Sequence, residues 1–329
     1  ACNFACVYCY ATLQENDRKV IDQPVIDAFL EDCAAIGVKG ISLVSDGESS
    51  VSPVFEHTII RGSELGLSMA TGTNGFLLTP DVAERILPHL TYLRINISAG
   101  ERARYAQIMG VKESFYDRVL ENIRQMVRIK RERGLSVTIG LQMVLMPQFG
   151  DQVLPLARLG KQLGVDYCIF KHCSDNEDGD LQVDYQGYPQ LFATLREAEA
   201  MSTEIYQVSV KWSKITTGEK RSYQRCYAPP FIIQLSGSGL VAPCGMLFNE
   251  RYKKFHIGNI CETRFKDIWQ SEQYWEVMNY LASPDFNAQT MCGTLCLQHK
   301  VNEVLDASRR GEIALATPVG KVPQHINFI

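Results

Sequence analysis

The sequence contains no apolar run long enough to cross a lipid bilayer and shows no secretory leader. It also has no surplus of basic residues, because 33 lysines and arginines stand against 37 aspartates and glutamates, a formal net charge of −4. A protein of that charge has no overall basic field to recruit nucleic acid or an acidic membrane surface. We therefore expect a cytoplasmic protein with neither nucleic acid nor a membrane as its partner.

The sequence further lacks repeats of solenoid period and low-complexity tracts. Hydrophobic residues make up 46% of it and charged residues 21%, which is typical of a globular protein with a sizeable core. A chain of 329 residues is long enough for one large domain and a smaller appendage. Since the chain begins at Ala1, one residue before a cysteine, we expect the natural N-terminus to lie upstream.

Up to about residue 205, short apolar runs alternate with longer amphipathic segments, which predicts βαβ units around a parallel sheet. The predicted strands cover residues 40–44, 67–70, 92–97, 137–145 and 167–171, and the predicted helices cover residues 24–36, 53–65, 80–87, 115–133, 152–163 and 189–201. We expect a sixth strand upstream of Ala1. This first domain spans residues 1–205.

Residues 206–329 are predicted to form a second, smaller domain. Strands are predicted over 206–212 and 231–235, followed by a Ser-Gly-Ser-Gly hairpin turn at 236–239 and a strand over 240–244. Helices are predicted over 264–281 and 301–309. The apolar end of the chain, HINFI, is expected to pack back on the first domain and cap its mouth.

Eleven cysteines are many for a chain without secretory features, and the odd number argues against a fully paired disulfide framework. In a reducing compartment, clustered thiols hold metal more often than they form disulfides. The first cluster, Cys-x3-Cys-x2-Cys, comprises Cys2, Cys6 and Cys9. Three thiolates on a short loop bind three irons of a cubane and leave the fourth without a protein ligand. Structural zinc or a simple electron carrier are the alternatives, although zinc would need a fourth ligand, and no Cys or His follows closely.

Several motifs in order strengthen the first interpretation. Tyr8 precedes the last cysteine, a strand runs into Ser45-Asp46-Gly47-Glu48, and the next two strands end in Thr73-Asn74-Gly75 and Asn96-Ile97-Ser98. Over roughly the first 175 residues, this pattern resembles the radical S-adenosylmethionine (SAM) enzymes. The resemblance implies an α/β fold with a partial (β/α)6 TIM-like barrel. It also implies that Cys2, Cys6 and Cys9 ligate a [4Fe–4S] cluster at which SAM is cleaved to a 5′-deoxyadenosyl radical.

The resemblance also assigns residues to SAM. Glu48 would receive its amino group, Gly47 would allow close backbone approach, Tyr8 would lie against the adenine, and Ser98 would contact the ribose. Asn74 would serve SAM or the substrate, or form an Asx turn. Gln142 and Val144 alternate with Met143 and Leu145 on one strand, and the pair that faces inward would lie near the adenine. The arginine that many relatives use for the SAM carboxylate is absent from AQIMGVKES, so either another base such as Lys112 would substitute or the carboxylate would be held differently.

A second group of cysteines, Cys226, Cys244, Cys292 and Cys296, brackets the predicted hairpin and ends in Cys-x3-Cys. Together with Ile257-Gly258-Asn259-Ile260, it resembles the auxiliary-cluster module of the SPASM/twitch subgroup. Four ligands imply one auxiliary [4Fe–4S] cluster, and a structural zinc ribbon is the alternative. Such a cluster would accept an electron from the substrate, pass electrons to the first cluster, or hold the module together.

Three further residues are candidates for contact with the substrate. Lys171 and Cys173 share one face at the end of the last strand before residue 205. If that face is the inner one, Lys171 would hold a substrate oxygen or carboxylate or act as a base. Cys173 would donate hydrogen to a substrate radical. Cys261 would approach the auxiliary cluster or the substrate. The acidic segment 175–180 would bind amino groups or be solvated.

The resemblance to these families thus implies a radical SAM oxidoreductase or epimerase. It would dehydrogenate or epimerise a sugar, aminosugar or aminocyclitol, with flavodoxin or ferredoxin as electron donor. The alternative is a maturase that crosslinks, oxidises or epimerises a ribosomally made precursor peptide. A noncatalytic iron–sulfur or zinc protein is the third possibility.

Overall fold

The computed structural model describes residues 1–13, 20–44, 46–176, 178–217, 221–292, 296–317, 319–320 and 322–328. Its larger part is built on a six-stranded sheet in which every neighbouring pair is parallel and the strands follow chain order. The strands are β1 (Gly40–Leu43), β2 (Ser68–Thr73), β3 (Leu90–Asn96), β4 (Thr138–Leu145), β5 (Tyr167–His172) and β6 (Gln207–Val210). The predicted α/β class is confirmed, and the sheet forms the expected partial barrel.

Helices follow the strands and cover one face of the sheet. They are α1 (Gln23–Ala35), α2 (Phe55–Glu64), α3 (Pro80–Ile86), α4 (Arg102–Met109), α5 (Glu113–Glu132), α6 (Val153–Leu163), α7 (Phe192–Glu199) and α8 (Trp212–Thr217). Local sequence sets their ends: Thr79 accepts from Val82 N–H ahead of Pro80, and Gly164 ends α6 at φ +71°. In the described part of the chain, no helix is long and apolar enough to cross a membrane.

Alternation along the strands separates a core face from a polar face. Leu93, Leu141 and Phe170 are fully buried and face the helices. The opposite face is the inner face of the partial barrel, and it carries polar side chains such as Arg94 and Gln142, which hydrogen bond to one another at 3.3 Å. Met143 and Leu145 share the core face, so Gln142 and Val144 are the pair that faces inward.

The strand predicted over 206–212 is found, but its placement in the second domain is corrected. As β6 it pairs in parallel with β5, with Tyr167 opposite Gln207, so the main sheet continues past residue 205. The sheet reaches six strands within this chain, whereas we expected the sixth upstream of Ala1. Trp212, the last residue of that prediction, begins α8 instead.

The second part of the chain is a small antiparallel sheet with helices. Its strands are β7 (Gln234–Leu235), β8 (Leu240–Ala242) and β9 (Gly258–Asn259), and its helices are α9 (Phe265–Gln270), α10 (Glu272–Ala282), α11 (Ala288–Met291) and α12 (His299–Arg309). The predicted hairpin turn is present, with Gly239 at φ +88°. The single helix predicted over 264–281 is two helices, because Ser271 leaves the helical conformation and caps α10 by accepting from Tyr274 N–H.

Three contacts fix this second part against α1 and the loop after β1. Arg264 pairs with the buried carboxylate of Asp32 at 2.6 Å, and the Phe29 and Phe265 rings meet at 5.1 Å. In the hairpin turn, Gly237 N–H donates to Asp46 at 3.3 Å. The hairpin therefore lies beside the loop in which we predicted the SAM amine ligand.

The end of the chain packs on the sheet, as expected, but at the opposite end from the one predicted. His325 bonds to Thr138 Oγ1 at 2.9 Å, Asn327 donates to Ser68 Oγ at 2.9 Å, and the Phe328 and Tyr92 rings meet at 5.1 Å. Thr138 and Ser68 begin their strands, so the tail covers the amino ends of the strands and leaves the carboxyl ends to the cysteine loop.

Candidate active site

The first three cysteines lie on a loop that is seated against the end of α4. Val7 N–H donates to Ile108 O at 3.0 Å. Gly110 ends α4 at φ +62° and lies directly against the Ala5 backbone, where a Cβ atom would clash. The glycine and the helix end therefore hold the loop in one place.

The three thiols are close enough to act on one another electrostatically. Burial raises the pKa of Cys6 to about 12, and Cys9 and Cys2 act in the same direction. Burial also raises the pKa of Cys2, to which Glu48 and Cys9 contribute. None of the three is in a disulfide; Cys2 is exposed, and the other two are half-buried. Three thiolates at one place repel, and binding to iron is what removes their protons and offsets that repulsion.

This donor set fits the predicted cubane. Within the described ranges, no three His, Cys, Asp or Glu side chains converge as the ligands of one metal ion must. The thiolates of a cubane each bind a different iron and stand further apart. Cys2, Cys6 and Cys9 would therefore hold a [4Fe–4S] cluster, whose fourth iron is left for another ligand.

A buried amide beside this loop has no partner among the described residues. Asn74 Nδ2 donates to Asn3 Oδ1 at 2.7 Å, while Asn3 Nδ2 is buried and unsatisfied. Leaving such a donor unpaired costs about 1–3 kcal/mol, so an acceptor from a bound molecule is expected there. Sequence reasoning missed Asn3. The Oδ1 atom of Asn74 accepts from Phe76 N–H at 3.0 Å and forms the Asx turn that was the alternative for this residue.

Glu48 lies at the carboxyl end of β1 with its carboxylate turned into the protein. Its Oε1 accepts from Ser50 N–H at 3.1 Å, from Ser50 Oγ at 2.6 Å and from Thr73 Oγ1 at 2.7 Å. Its Oε2 accepts from Asn74 N–H at 2.7 Å and keeps one lone pair, which is the acceptor that an ammonium group would use. Gly47 lies directly against the Ala1 backbone, whose oxygen would be 2.5 Å from a Cβ atom, while its predicted approach to SAM stays a prediction.

The Tyr8 hydroxyl lies between two polar residues of the third strand end. It accepts from Asn96 Nδ2 at 2.6 Å, bonds to Ser98 Oγ at 2.9 Å and donates to Met109 Sδ at 3.1 Å. Ser98 Oγ also accepts from Val144 N–H at 3.3 Å. The structure thus brings Tyr8, Ser98 and Val144 together.

Gln142 lies on the same inner face of β4, two residues before Val144. Its Nε2 donates to Asn96 Oδ1 at 3.0 Å, and its Oε1 accepts from Arg94 at 3.3 Å. It therefore joins the polar row that ends at Ser98, two strand positions further along. Lys112 is more remote, because it is exposed at the residue before α5, two positions after the glycine that holds the cysteine loop.

Lys171 stands on the inner face of β5, opposite Val144 of β4. Burial, followed by the positive charges of Arg94, Lys214 and Lys211, lowers its pKa to about 7, although Cys173 acts in the opposite direction. A shift of that size means that roughly 5 kcal/mol disfavours the charged amine. Such an amine changes its charge near neutral pH.

Cys173 follows Lys171 but is buried rather than open, with 1% of its surface exposed. Its sulfur lies 3.9 Å from the backbone oxygen of Tyr8, directly under the cysteine loop. Burial raises its pKa to about 12, so it is a neutral thiol.

The four cysteines of the second group also come together. Burial raises the pKa of Cys226 to about 12, and the electrostatic neighbours that add to it are Cys296, Cys292 and Cys244. The pKa of Cys244 is raised in the same way to about 12, with Cys296 and Cys292 contributing. Four thiols that converge from the hairpin and from the segment before α12 fit a fully ligated iron–sulfur cluster.

Cys261 does not join this group in the same way. It lies at the other end of the hairpin, exposed, with its sulfur 3.7 Å from Ser238 O. Tyr10, which sequence reasoning missed, does connect the two groups. Burial, followed by Cys244, Cys9 and Asp46, raises the pKa of Tyr10 to about 12, so its hydroxyl is within electrostatic reach of a cysteine of each group. Its position directly after the first motif is the signal that would have found it.

One group of three neighbouring thiols and one group of four are the donor sets that iron–sulfur proteins use for their clusters. Comparison with protein families agrees with this class. The radical SAM superfamily model matches residues 1–159, and the iron–sulfur cluster-binding SPASM domain matches residues 226–296. The chain belongs to the radical SAM superfamily, in its SPASM/twitch subgroup. Its cofactors are SAM, the [4Fe–4S] cluster that binds SAM, and auxiliary iron–sulfur in the second part of the chain.

Two curated relatives resemble most of the chain. AdoMet-dependent heme synthase of Methanosarcina barkeri is 25% identical over 323 residues, which cover 91% of this chain and 86% of that protein. The tungsten-containing aldehyde ferredoxin oxidoreductase cofactor-modifying protein of Pyrococcus furiosus is 21% identical over 291 residues, covering 83% and 79%.

Solved structures share the fold. Streptococcus suis SuiB bound to S-adenosylmethionine superposes with a TM-score of 0.64 at 15% identity over 85% of this chain, which spans 65% of the length of SuiB. Native anSMEcpe with bound AdoMet superposes with a TM-score of 0.61 at 14% identity over 94% of both chains. At these identities the likeness concerns the fold.

Proposed function

We propose that this protein is a radical SAM oxidoreductase that dehydrogenates a sugar-like small molecule at a carbon bearing a hydroxyl group. The observation that carries this proposal is that the hairpin of the second part contacts the loop after β1 through Gly237 and Asp46, with Tyr10 within electrostatic reach of a cysteine of each site. A substrate near both sites can lose hydrogen at one and an electron at the other. A one-electron carrier such as flavodoxin or ferredoxin would supply the starting electron.

When bound, SAM and the clusters supply a 5′-deoxyadenosyl radical and an electron acceptor. The residues of this chain position the substrate. Ser98, Val144 and Lys171 lie side by side on the inner face, since Ser98 bonds to Val144 N–H and Val144 is the register partner of Lys171. A hydroxyl or other oxygen held by Lys171 would thus lie on the level of the residue that we expect to contact the ribose.

Epimerisation has less support, because it needs a thiol that can return hydrogen to the substrate. The Cys173 thiol is buried under the cysteine loop against Tyr8 O. The Cys261 sulfur lies 3.7 Å from Ser238 O in the hairpin turn, and no described contact joins it to a residue of the inner face. Dehydrogenation requires neither thiol.

A second candidate is peptide maturation. SuiB has been solved with its precursor peptide SuiA, and anSMEcpe with the peptide Cp18Cys, but both likenesses concern the fold alone. The two curated relatives that cover most of the chain are named for heme and for a cofactor, which favours a small molecule.

Isotope transfer tests the proposal. The anaerobically reconstituted protein is incubated with SAM, a one-electron reductant and sugar-like alcohols deuterated at single carbinol carbons. We expect deuterium in 5′-deoxyadenosine and a ketone product of two mass units less than the unlabelled alcohol. Incorporation of solvent deuterium into an unoxidised, inverted product in heavy water would instead establish epimerisation. Turnover of a precursor peptide alone would establish the second candidate.

A further inference from the structure

Two cations of the inner face and one of α8 have no carboxylate partner in the part of the chain that the structure describes. They are Arg94, Lys171 and Lys214, and all three are half-buried. Other arginines pair with acids, as Arg104 does with Asp151 at 2.6 Å and Arg264 with Asp32. Arg94 donates instead to the uncharged Tyr167 Oη and Gln142 Oε1, both at 3.3 Å. Burying cations without a counter-charge is costly unless a ligand compensates.

Three separate elements bring these cations together. Arg94 projects from β3, and Lys171 projects from β5 on the same face. Lys211 N–H donates to Phe170 O at 2.9 Å, which extends the pairing of β6 with β5 and starts α8 beside the end of β5. Lys214, in the first turn of α8, therefore lies within electrostatic reach of Lys171 and also of Cys296. The cations thus lead from the sheet interior toward the second cysteine site.

The charge balance around Lys171 agrees with this geometry. The groups that act on its amine are Arg94, Lys214, Lys211 and the Cys173 thiol, and the three cations together with burial lower its pKa to about 7. A nearby anion would reverse that effect, because it favours the charged amine.

We propose that Arg94, Lys171 and Lys214 bind an anionic group, a carboxylate or a phosphate, of the small-molecule substrate. This inference rests on the proposed function and narrows its substrate class to acidic sugars and related compounds. It disfavours the aminosugars and aminocyclitols, because a substrate ammonium would add a fourth positive charge. The acidic segment after β5 does not offset this, since Asp175 accepts from Leu181 N–H and Asp178 pairs with Arg251 at 2.8 Å.

The distance from Lys171 to the residues expected to bind SAM would allow one small substrate to reach both. Ser98, Val144 and Lys171 lie on three neighbouring strand ends, and neighbouring strands are about 4.8 Å apart, so Ser98 and Lys171 are separated by about 10 Å. A small molecule whose acidic group is held by Lys171 can extend over that distance. Its oxidisable carbon would then lie near the SAM ribose.

Binding without turnover tests this inference separately from the proposed function. Isothermal titration calorimetry is performed on the anaerobically reconstituted protein with SAM and without reductant. The probes are glucuronate, glucose 6-phosphate, glucose and glucosamine, and they distinguish a carboxylate from a phosphate. We expect one of the anionic probes to bind and the neutral and cationic probes not to bind. An acidic peptide of Glu and Asp serves as the macromolecular comparison.

Variants assign the site. Lys171→Met and Lys214→Gln are each expected to weaken binding of the anionic probe about tenfold or more, as the loss of a charge-assisted hydrogen bond does. Lys171→Arg should retain it, and so should Lys161→Met, which alters an exposed lysine of α6. These two variants control for folding and for general charge.

Three results would overturn the inference. One is that no anionic probe binds, or that all variants bind it equally. Another is that Lys171→Met weakens the affinity for SAM itself, since the cations would then serve the SAM carboxylate in place of the arginine that the sequence lacks. The third is that only the acidic peptide binds. A protein that binds the anion but oxidises nothing would leave the site established and the proposed reaction wrong.

Discussion

The side-chain amide of Asn302 donates through Nδ2 to Cys226 Sγ at 3.4 Å. Asn302 is fully buried in α12, and its Oδ1 accepts from Tyr227 N–H at 2.7 Å and Ala228 N–H at 3.0 Å. One side chain therefore fixes the backbone after Cys226 and contacts the sulfur. Hydrogen bonds to cluster sulfurs stabilise the reduced, more negative state and so set the reduction potential.

Asn302→Asp is expected to make the auxiliary-cluster potential more negative, because Oδ1 keeps its two backbone donors while the N–H···S bond is replaced by a negative charge. Redox titration followed by electron paramagnetic resonance measures this potential. Asn249→Asp is the matched control, since Asn249 caps Arg251 N–H and has no cysteine partner among the described residues. An unchanged or more positive potential in Asn302→Asp would contradict the role.

Iron content should separate the two cysteine sites. The reconstituted protein is expected to hold about eight irons, and Cys6→Ala and Cys244→Ala about four each. Cys6→Ala should abolish release of 5′-deoxyadenosine, while Cys244→Ala should retain basal SAM cleavage. Cys33→Ala, which alters a core thiol of α1, should keep about eight irons. Stoichiometric zinc in place of iron at either site would refute the assignment.

Glu48→Gln is expected to raise the Kd for SAM about tenfold or more, since the open lone pair of Oε2 would lose its charge toward the SAM ammonium. Equilibrium dialysis with labelled SAM measures this affinity. Glu56→Gln removes an exposed ion pair with Arg85 and should leave it unchanged. Equal affinities of Glu48→Gln and the unaltered protein would show that the amino group is held elsewhere.

Lys171→Met is expected to stabilise the protein more at pH 6 than at pH 9. Below pH 7 the Lys171 amine is charged in the folded and unfolded states, and folding carries the full cost of burying a cation. Between its folded pKa of about 7 and its ordinary value of 10.5, the folded protein loses the proton first, so this cost falls as pH rises. The difference is on the order of 2 kcal/mol, or a few degrees in Tm.

Differential scanning calorimetry at both pH values measures the effect, with Lys161→Met as the control for a surface lysine. A stabilisation that is the same at pH 6 and pH 9 would mean that the Lys171 amine does not titrate in this range.

The sequence predicts elements best where one periodicity holds over many residues. Each helix predicted in the first domain is found within a few residues of its limits, because its apolar stripe is long and packs on one sheet. The pairing of β6 with β5 could not be predicted from the sequence, because a four-residue strand pairs with whichever strand the fold places beside it. α4 was missed, because it is short and its sequence, RARYAQIM, has a weak apolar stripe.

Spacing found the cysteine groups, but it could not find residues that act by position alone. Asn3 and Tyr10 carry no motif of their own, and their relevance arises from a buried unpaired amide and from the approach of two distant loops. The mutual effects of Arg94, Lys171 and Lys214 depend on three elements that are far apart in the chain. Only the packing of α8 against β5 brings the last of them into place.

The packing of the tail on the amino ends of the strands determines the side from which molecules can reach the inner face of the sheet. With His325 and Phe328 packed on Thr138 and Tyr92, residues 325–328 cover the amino ends of β3 and β4. A molecule that binds to Arg94 on the inner face would then approach from the carboxyl ends of the strands, where the first cysteine loop lies.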